Sequence, residues 1–332
     1  MTPDYRLLVD GKDLTEVFRQ MATQIRLTDK SGVEADEINI TIPDPLQDIE
    51  APRHGVTIEL FMGWKGQGLT NMGSYTVTDD GANGNPDSIW FSGHSADLRG
   101  TIKEQRDESY HDTTLGAVLQ TVADRNGLEA AIDPTLAAVR VPHIDQTTES
   151  DGHFLTRLGK DHDAIASVKG GRLTFVPSAT GTSGSGERLA ELTIDRSQTT
   201  ANYSYKNQDR EGSFTGVEAK WRKYGDAENG SIVEGSTDTL KKLKKMYPSE
   251  EEAQAAARAA MGKVNRGQKE ISFTLVLGDP TLFAGSPLRL TGWRSAITQE
   301  AWFVKEVSHT MGNDGYISQV KAELAASQSE NG

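Results

Sequence analysis

Seven histidines (His54, His94, His111, His143, His153, His162 and His309) and 48 Asp and Glu residues are the side chains of this 332-residue sequence best able to move protons or hold a metal. None of the histidines lies at the i, i+4 spacing that turns two imidazoles of one helix toward a single cation. Asp161-His162-Asp163 sets three potential ligands side by side, but consecutive residues at a helix end point in different directions. The trio therefore reads as capping and solvation. Gly63-Trp64-Lys65-Gly66-Gln67-Gly68 has the wrong spacing for a dinucleotide loop and reads as a turn. HExxH, GxSxG and GxxxxGK[ST] patterns are all missing. Paired carboxylates for glycoside hydrolysis are defined by a spatial separation, and no single Glu stands in an apolar setting that would raise its pKa. The residues thus assign no catalytic, cofactor-binding or metal-ligating position, and no cofactor is expected.

Composition narrows the classes further. With no cysteine, disulfides, thiolate nucleophiles, iron–sulfur clusters and Cys-type zinc sites are excluded. Thirty-five Lys and Arg against 48 acids give a formal charge of −13, a field that repels a phosphate backbone, so specific nucleic-acid recognition is not expected. The densest basic cluster, Lys241-Lys242-Leu243-Lys244-Lys245, lacks interleaved aromatics and reads as a solvated loop or helix edge. No apolar run is long enough to span a bilayer, so no membrane anchor is expected. The polar start and the short Leu7-Leu8-Val9 stretch suggest no secretory signal, which implies a cytoplasmic protein.

These side chains must be positioned by a mainly β framework. Tyr5 to Val9, Gln24 to Thr28, Glu37 to Ile42, Val56 to Met62, Ser74 to Thr78 and Ser88 to Ser92 read as short strands. They are separated by turn signals such as Asp10-Gly11, Pro43-Asp44-Pro45 and Asp79 to Pro86. Ile38, Ile40 and Ile42 alternate, so one face of their sheet is buried. Near residue 107 the period changes. Leu115, Val118, Leu119, Val122 and Ala123 form a helical stripe after Asp112, Thr113 and Thr114 and before Gly127. A second helix starts at Ser150 or Asp151 and turns Phe154, Leu155 and Leu158 inward. Ala164 to Val168 and Arg172 to Val176 make a hairpin around Lys169-Gly170-Gly171.

The segment Thr180 to Gly186 is linker-like. Strand patterns resume at Leu189 to Ile194, Phe214 to Trp221, Ile271 to Leu277, Pro287 to Leu290, Ala301 to Val307 and Tyr316 to Leu324. A helix opened by the Ser249/Glu252 capping box interrupts them, with Ala253, Ala256, Ala257, Ala260, Met261 and Val264 as its buried stripe. That stripe implies close approach to the chain's own β surface or to another subunit. The predicted division is a first β-barrel at 1–106, a small α/β domain at 107–180, and a second β-barrel at 181–332 with a helical insert near 236–266. The fold class is α+β, mainly β.

Several stretches, in order, resemble the phage late control protein D family: Gly63 to Gly66, Ser95 to Thr101, His111 to Gly116, Val141 to Gln146, Glu149-Ser150-Asp151 before Phe154 to Leu158, Gly216 to Trp221, and Val304 to His309. These are the tail hubs of contractile-tailed phages, with pyocin-type tail hubs and the hub half of VgrG as relatives. The resemblance covers nearly the whole chain. It departs after Trp221, where some relatives carry a long Lys/Pro-rich insertion and this chain has only the short, mixed-charge Arg222 to Thr239.

The resemblance implies a non-enzymatic baseplate hub, a homotrimer of two-barrel subunits joining the sixfold tail tube to the threefold central spike. Implied partners are the tail spike protein and the tail tube protein, with the tape-measure protein and baseplate wedge proteins as further candidates. The particle would be a phage tail or a phage-tail-like bacteriocin, assembled in the bacterial cytoplasm. Two alternatives stand beside it: a cell-wall-degrading hub component, and a DNA-binding late-gene regulator. His111-Asp112 reads as a helix entry, and His143 to Gln146 as a strand or loop contact between the α/β unit and a barrel.

Overall fold

The computed structural model describes residues 1–21, 23–32, 36–95, 100–182, 187–207, 214–223, 228–266 and 269–325. The first β region contains β1 (Pro3–Val9), β2 (Lys12–Asp13), a short helix α1 (Thr15–Gln20), β3 (Gln24–Lys30), β4 (Glu37–Pro43), β5 (Thr57–Trp64), β6 (Gly68–Asn83) and β7 (Ser88–Ser95). Alternation orients β4: Ile38, Ile40 and Ile42 are 1%, 0% and 3% exposed. Ile38 and Ile40 lie opposite Leu27 and Ile25 of β3, as their period requires. Asp10 and Gly11 turn with φ of 46° and 75°, the left-handed pair that a tight hairpin needs. Asp79 to Asn83, expected as a turn, instead continues β6 and pairs with β7 as far as Asn83↔Ser88. The polar residues there stay largely exposed, and Gly81 gives way to the Trp90 indole, which lies 2.7 Å from where a Cβ would be.

The middle of the chain holds β8 (Gln105–Thr114), α2 (Leu115–Arg125), β9 (Glu129–Ile132), α3 (Pro134–Ala137), β10 (Arg140–Ser150), α4 (Asp151–Asp161), β11 (Ala164–Lys169) and β12 (Arg172–Pro177). Helix α2 follows its pattern: all five stripe residues are buried, and Thr114 Oγ1 accepts from the Ala117 N–H at 3.3 Å as N-cap. Ser150 caps α4, whose Phe154, Leu155 and Leu158 are fully buried. The expected hairpin β11–β12 is present, and β9 joins it in parallel. His111-Asp112 is not a helix entry. It lies in β8, which pairs antiparallel with β10. This polar ribbon has no apolar period and so leaves little trace in sequence.

The last part consists of β13 (Leu192–Asp195), β14 (Thr199–Asn207), β15 (Gly216–Arg222), β16 (Asn229–Gly235), β17 (Leu240–Tyr247), α5 (Glu250–Arg266), β18 (Lys269–Leu275), β19 (Pro287–Thr291), a short α6 (Ser295–Thr298), β20 (Ala301–Gly312) and β21 (Gly315–Leu324). The lysine cluster is neither loop nor helix edge. It forms β17, at the edge of the three-stranded sheet β16-β15-β17, where Lys242 meets Glu218 at 3.4 Å. Charged side chains suit an edge strand, because they discourage pairing with a foreign strand. The helical part of the insert is therefore 250–266, and 236–247 leads into and forms a strand. Ser249 Oγ accepts from the Glu252 N–H at 3.2 Å, and Ala253, Ala256 and Ala257 pack with Val217, Ala219 and Tyr247. The alanine face thus meets the chain's own small sheet.

The main sheet runs β14-β18-β21-β20-β3-β4-β7-β6-β5-β1-β2, with β19 beside β20 and β13 beside β19. It is an open path, and no closed barrel forms among the described residues. One apolar cluster fills the first β region, a second fills the last, and a third fills the middle unit. Residues 96–99 of the Ser95 to Thr101 stretch and 183–186 of the linker lie outside the described residues. Because Ala256 is 6% exposed, Ala256→Glu forces a charge and extra volume against β15; the expected loss is on the order of 1–3 kcal/mol, read as a lower melting temperature. An unchanged melting temperature would mean that the helix does not pack there.

Candidate functional site

The regions of the chain meet at a small number of joints, and these hold most of its unusual chemistry. Strand β20 lies antiparallel to β3 from Glu306↔Lys30 to Met311↔Ile25, while its first residues pair with β19 at Pro287↔Phe303. One strand therefore belongs to both β regions. A bulge between Val304 and Glu306 bends β20 where it passes from one to the other. Across the seam the hydroxyls of Thr28 and Ser308 are 3.0 Å apart.

Behind the seam sits His309, 0% exposed. Its Nε2 lies 3.1 Å from the Leu282 carbonyl, and its Nδ1 is 2.8 Å from Ser318 Oγ and 3.0 Å from the Tyr316 hydroxyl. A carbonyl only accepts, so Nε2 carries the proton and Nδ1 receives the hydroxyl donors. Burial lowers the pKa of His309 and raises that of Tyr316, keeping both neutral. Trp64, from the glycine-rich turn, donates through Nε1 to the Gly278 carbonyl at 2.9 Å, and its ring lies 5.4 Å from that of Tyr316. A Cβ on Gly278 would meet the Tyr316 ring at 2.5 Å, so this crossing needs a glycine. The turn motif is thus a turn that carries a buried anchor between the two β regions.

A second joint ties in the middle unit. Lys169, at the tip of β11, forms ion pairs with Asp29 of β3 and, at 3.0 Å, with Asp36. Asp29 also accepts from the Ala284 N–H at 2.9 Å, and Asp36 accepts from the Lys30 N–H at 3.1 Å. Three regions of the chain meet at this one charge cluster. Asp36 is pushed up to about 7, first by burial and then by the Asp29 carboxylate, against the pull of Lys169. Asp163 pairs with the buried Arg266 of α5, and Asp161 meets Lys245 at 3.3 Å. The Asp161-His162-Asp163 trio therefore diverges, as consecutive residues at a helix end do. Among the described residues no group of three or more His, Asp or Glu side chains is placed to hold a metal.

Within the middle unit, Asp151 is fully buried at the start of α4. It accepts from Arg125 Nε at 2.9 Å, from Asn126 Nδ2 at 2.8 Å and from Gln146 Nε2 at 2.8 Å, tying α2 and β10 to α4. A buried carboxylate this well satisfied is structural. His111 and His143, 32 residues apart, are register partners on β8 and β10, and their Nδ1 atoms approach to 3.1 Å. Sequence spacing could not show this approach, because it depends on the register of a ribbon without apolar periodicity.

The profile of the family described as phage tail baseplate hub (GPD) matches residues 89–315. The probable baseplate hub protein of Escherichia phage P2 is 32% identical over 370 aligned residues, covering 99% of this chain and 95% of that one. This chain belongs to the phage tail baseplate hub family. It is accordingly a structural protein of a phage tail or phage-tail-like particle and not an enzyme. Two solved structures share the fold at low sequence identity. The 43 kDa tail protein of prophage MuSo2 from Shewanella oneidensis superposes with a TM-score of 0.72 at 12% identity, over 97% of this chain and 98% of that one. The E. coli c3393 protein superposes at 0.52 and 10% identity over 98% and 76%; it is described as a type VI secretion component similar to the T4 tail proteins gp27 and gp5.

Two of the hub's resembling stretches fall on its joints, and a third lies in the buried network of the middle unit. Val304 to His309 is the seam, Trp64 is the anchor, and Glu149 to Asp151 is the buried network. The charge cluster also gives a measurable pH dependence. Folded Asp36 keeps its proton up to about 7, whereas an unfolded Asp loses it near about 3.9, so folding binds a proton in that window and stability falls as pH rises through it. Asp36→Asn should flatten that fall. If melting temperatures of the wild type and Asp36→Asn run parallel from about pH 4 to about pH 7, the carboxyl is not raised as described.

Proposed function

We propose that this hub protein assembles as a homotrimer that joins the sixfold tail tube to the threefold central spike, with two β regions in each of three subunits presenting six similar surfaces to the tube. The observation that carries this reading is the β20 seam, which joins two β regions with separate apolar cores in one sheet. Two like units in each of three subunits reconcile a threefold with a sixfold neighbour under closed symmetry. In this reading the two β regions take the places expected for two β domains at 1–106 and 181–332, with 107–180 as the α/β domain between them. The family match and the fold shared with c3393, which is described as similar to gp27 and gp5, support the same assignment. The partners are the tail spike protein and the tail tube protein, with the tape-measure and baseplate wedge proteins adjoining, and assembly takes place in the host cytoplasm.

Subunit contacts need apolar surface, and the loop after β18 offers it: Val276 and Leu277 are 51% and 52% exposed, and Phe283 is 44% exposed. The Gly278 N–H donates to the Tyr316 carbonyl at 2.8 Å, which brings the half-exposed Ile317 alongside. Side chains of this size seldom gather on the surface of a monomer without a partner.

Native mass spectrometry of the full chain should give three times the 36.1 kDa subunit mass. Leu277→Asp should shift that mass toward one subunit without lowering the melting temperature of the dissociated chain. A monomer at assembly concentrations, or a Leu277→Asp protein that remains fully trimeric, would contradict the trimer or this placement of its contact respectively.

A further inference from the structure

The ribbon of β8 and β10 brings two imidazoles together on its surface. His111 and His143 are direct register partners, their rings lie 4.6 Å apart at 26°, and their Nδ1 atoms face each other at 3.1 Å. The Nε2 of His143 lies 3.0 Å from Asp145 Oδ2, and Asp145 Oδ1 accepts from Ser109 Oγ at 2.6 Å. An ionised carboxylate only accepts, so Nε2 of His143 carries the proton and its Nδ1 presents a lone pair toward His111. An outer carboxylate that fixes the tautomer of a ligating imidazole is the usual support of a metal-bound histidine. Here the order is Ser109 to Asp145 to His143, with each group held by the one before it.

The separation of the two nitrogens is the second observation. Nitrogens each about 2.0–2.1 Å from one cation are roughly 2.9–3.4 Å apart at bond angles between about 90° and 110°. The 3.1 Å between the Nδ1 atoms falls inside that range. His111 is exposed, and its Nδ1, which donates to His143 Nδ1 across this contact, gives up that proton to its own Nε2 or to water when both Nδ1 atoms take the cation. We propose that His111 and His143 form a two-imidazole site for a divalent d-block cation of the zinc or nickel class, with water in the remaining positions and Asp145 positioning His143. This site is independent of the trimer and the partners proposed above. Bound there, the ion would pin β8 to β10 across a ribbon otherwise held by backbone pairing and surface contacts, next to the start of α2.

The test is isothermal titration of the untagged full-length protein with Zn2+. The expected result is one ion per chain, lost in His111→Ala and in His143→Ala. It should be retained in His54→Ala, which removes a distant exposed histidine paired with Asp80 at 2.6 Å. Asp145→Asn should keep the stoichiometry but weaken affinity about 10- to 100-fold, the usual cost of losing an outer partner. A second measurement needs no variant: Zn2+ should shield His111 and His143, and not His54, from carbethoxylation in the wild-type chain as mapped by peptide mass. Absence of binding, binding that survives both histidine substitutions, or a lack of protection at these two rings would overturn the site.

Discussion

The pairing of β3 with β20 is the constraint on which the rest of the molecule depends. It joins strands whose hydroxyls at Thr28 and Ser308 are 280 residues apart in sequence, so nearly the whole chain is closed into one loop by a single antiparallel ladder. Closure entropy grows only slowly with loop length, so such a ladder is affordable once apolar burial accompanies it. The burial is present: Ile25 and Leu27 on one side and Val307 and Met311 on the other are all 2% exposed or less. Long-range pairing of this kind is slow to form, and folding of this chain should be governed by it.

Each other joint uses the geometry that the seam creates. Once β20 lies against β3, Asp29 reaches the Ala284 N–H on the far side and Lys169 from the middle unit. Trp64 reaches the Gly278 carbonyl, and the neutral His309 fills the space beneath with its three partners. The joints differ in kind. The seam and the Trp64 anchor are apolar and hydrogen-bonded, whereas the middle unit is fastened by charges at Lys169 and at Asp163 with Arg266. The fastening at Lys169 responds to pH through Asp36, whose carboxyl is pushed by burial up to about 7, in a way that the buried ladder does not. The joint of the α/β unit is thus more sensitive to pH than the seam that joins the two β regions.

Much of this frame was legible in sequence where periodicity was strong. The isoleucines of β4, the stripe of α2, the Ser150 cap of α4 and the alanine face of α5 were all readable, because each combines an apolar period with a recognisable boundary signal. The polar strands were not. β8, β10 and β17 are held by backbone pairing and by ion pairs such as Lys242 with Glu218, and a run like Lys241 to Lys245 carries no signal that separates an edge strand from a loop. Resemblance to the hub family named Val304 to His309 and Gly63 to Gly66 without showing what they do. Only the register of β20 reveals that Val304 to His309 links the two regions, and only the fold brings Asp29, Asp36 and Lys169 together.

Native-state hydrogen exchange on the full chain reads the seam most directly. If β3 and β20 form the frame, the amides of Ile25 to Lys30 and Glu306 to Met311 that bond across the ladder should exchange as slowly as those of β4 and β7 and should open together with them as denaturant is added. Seam amides that exchange early, while β4, β7 and the cluster around Trp302 stay protected, would show that the two β regions fold and move as separate bodies, and the account of a single frame would fail.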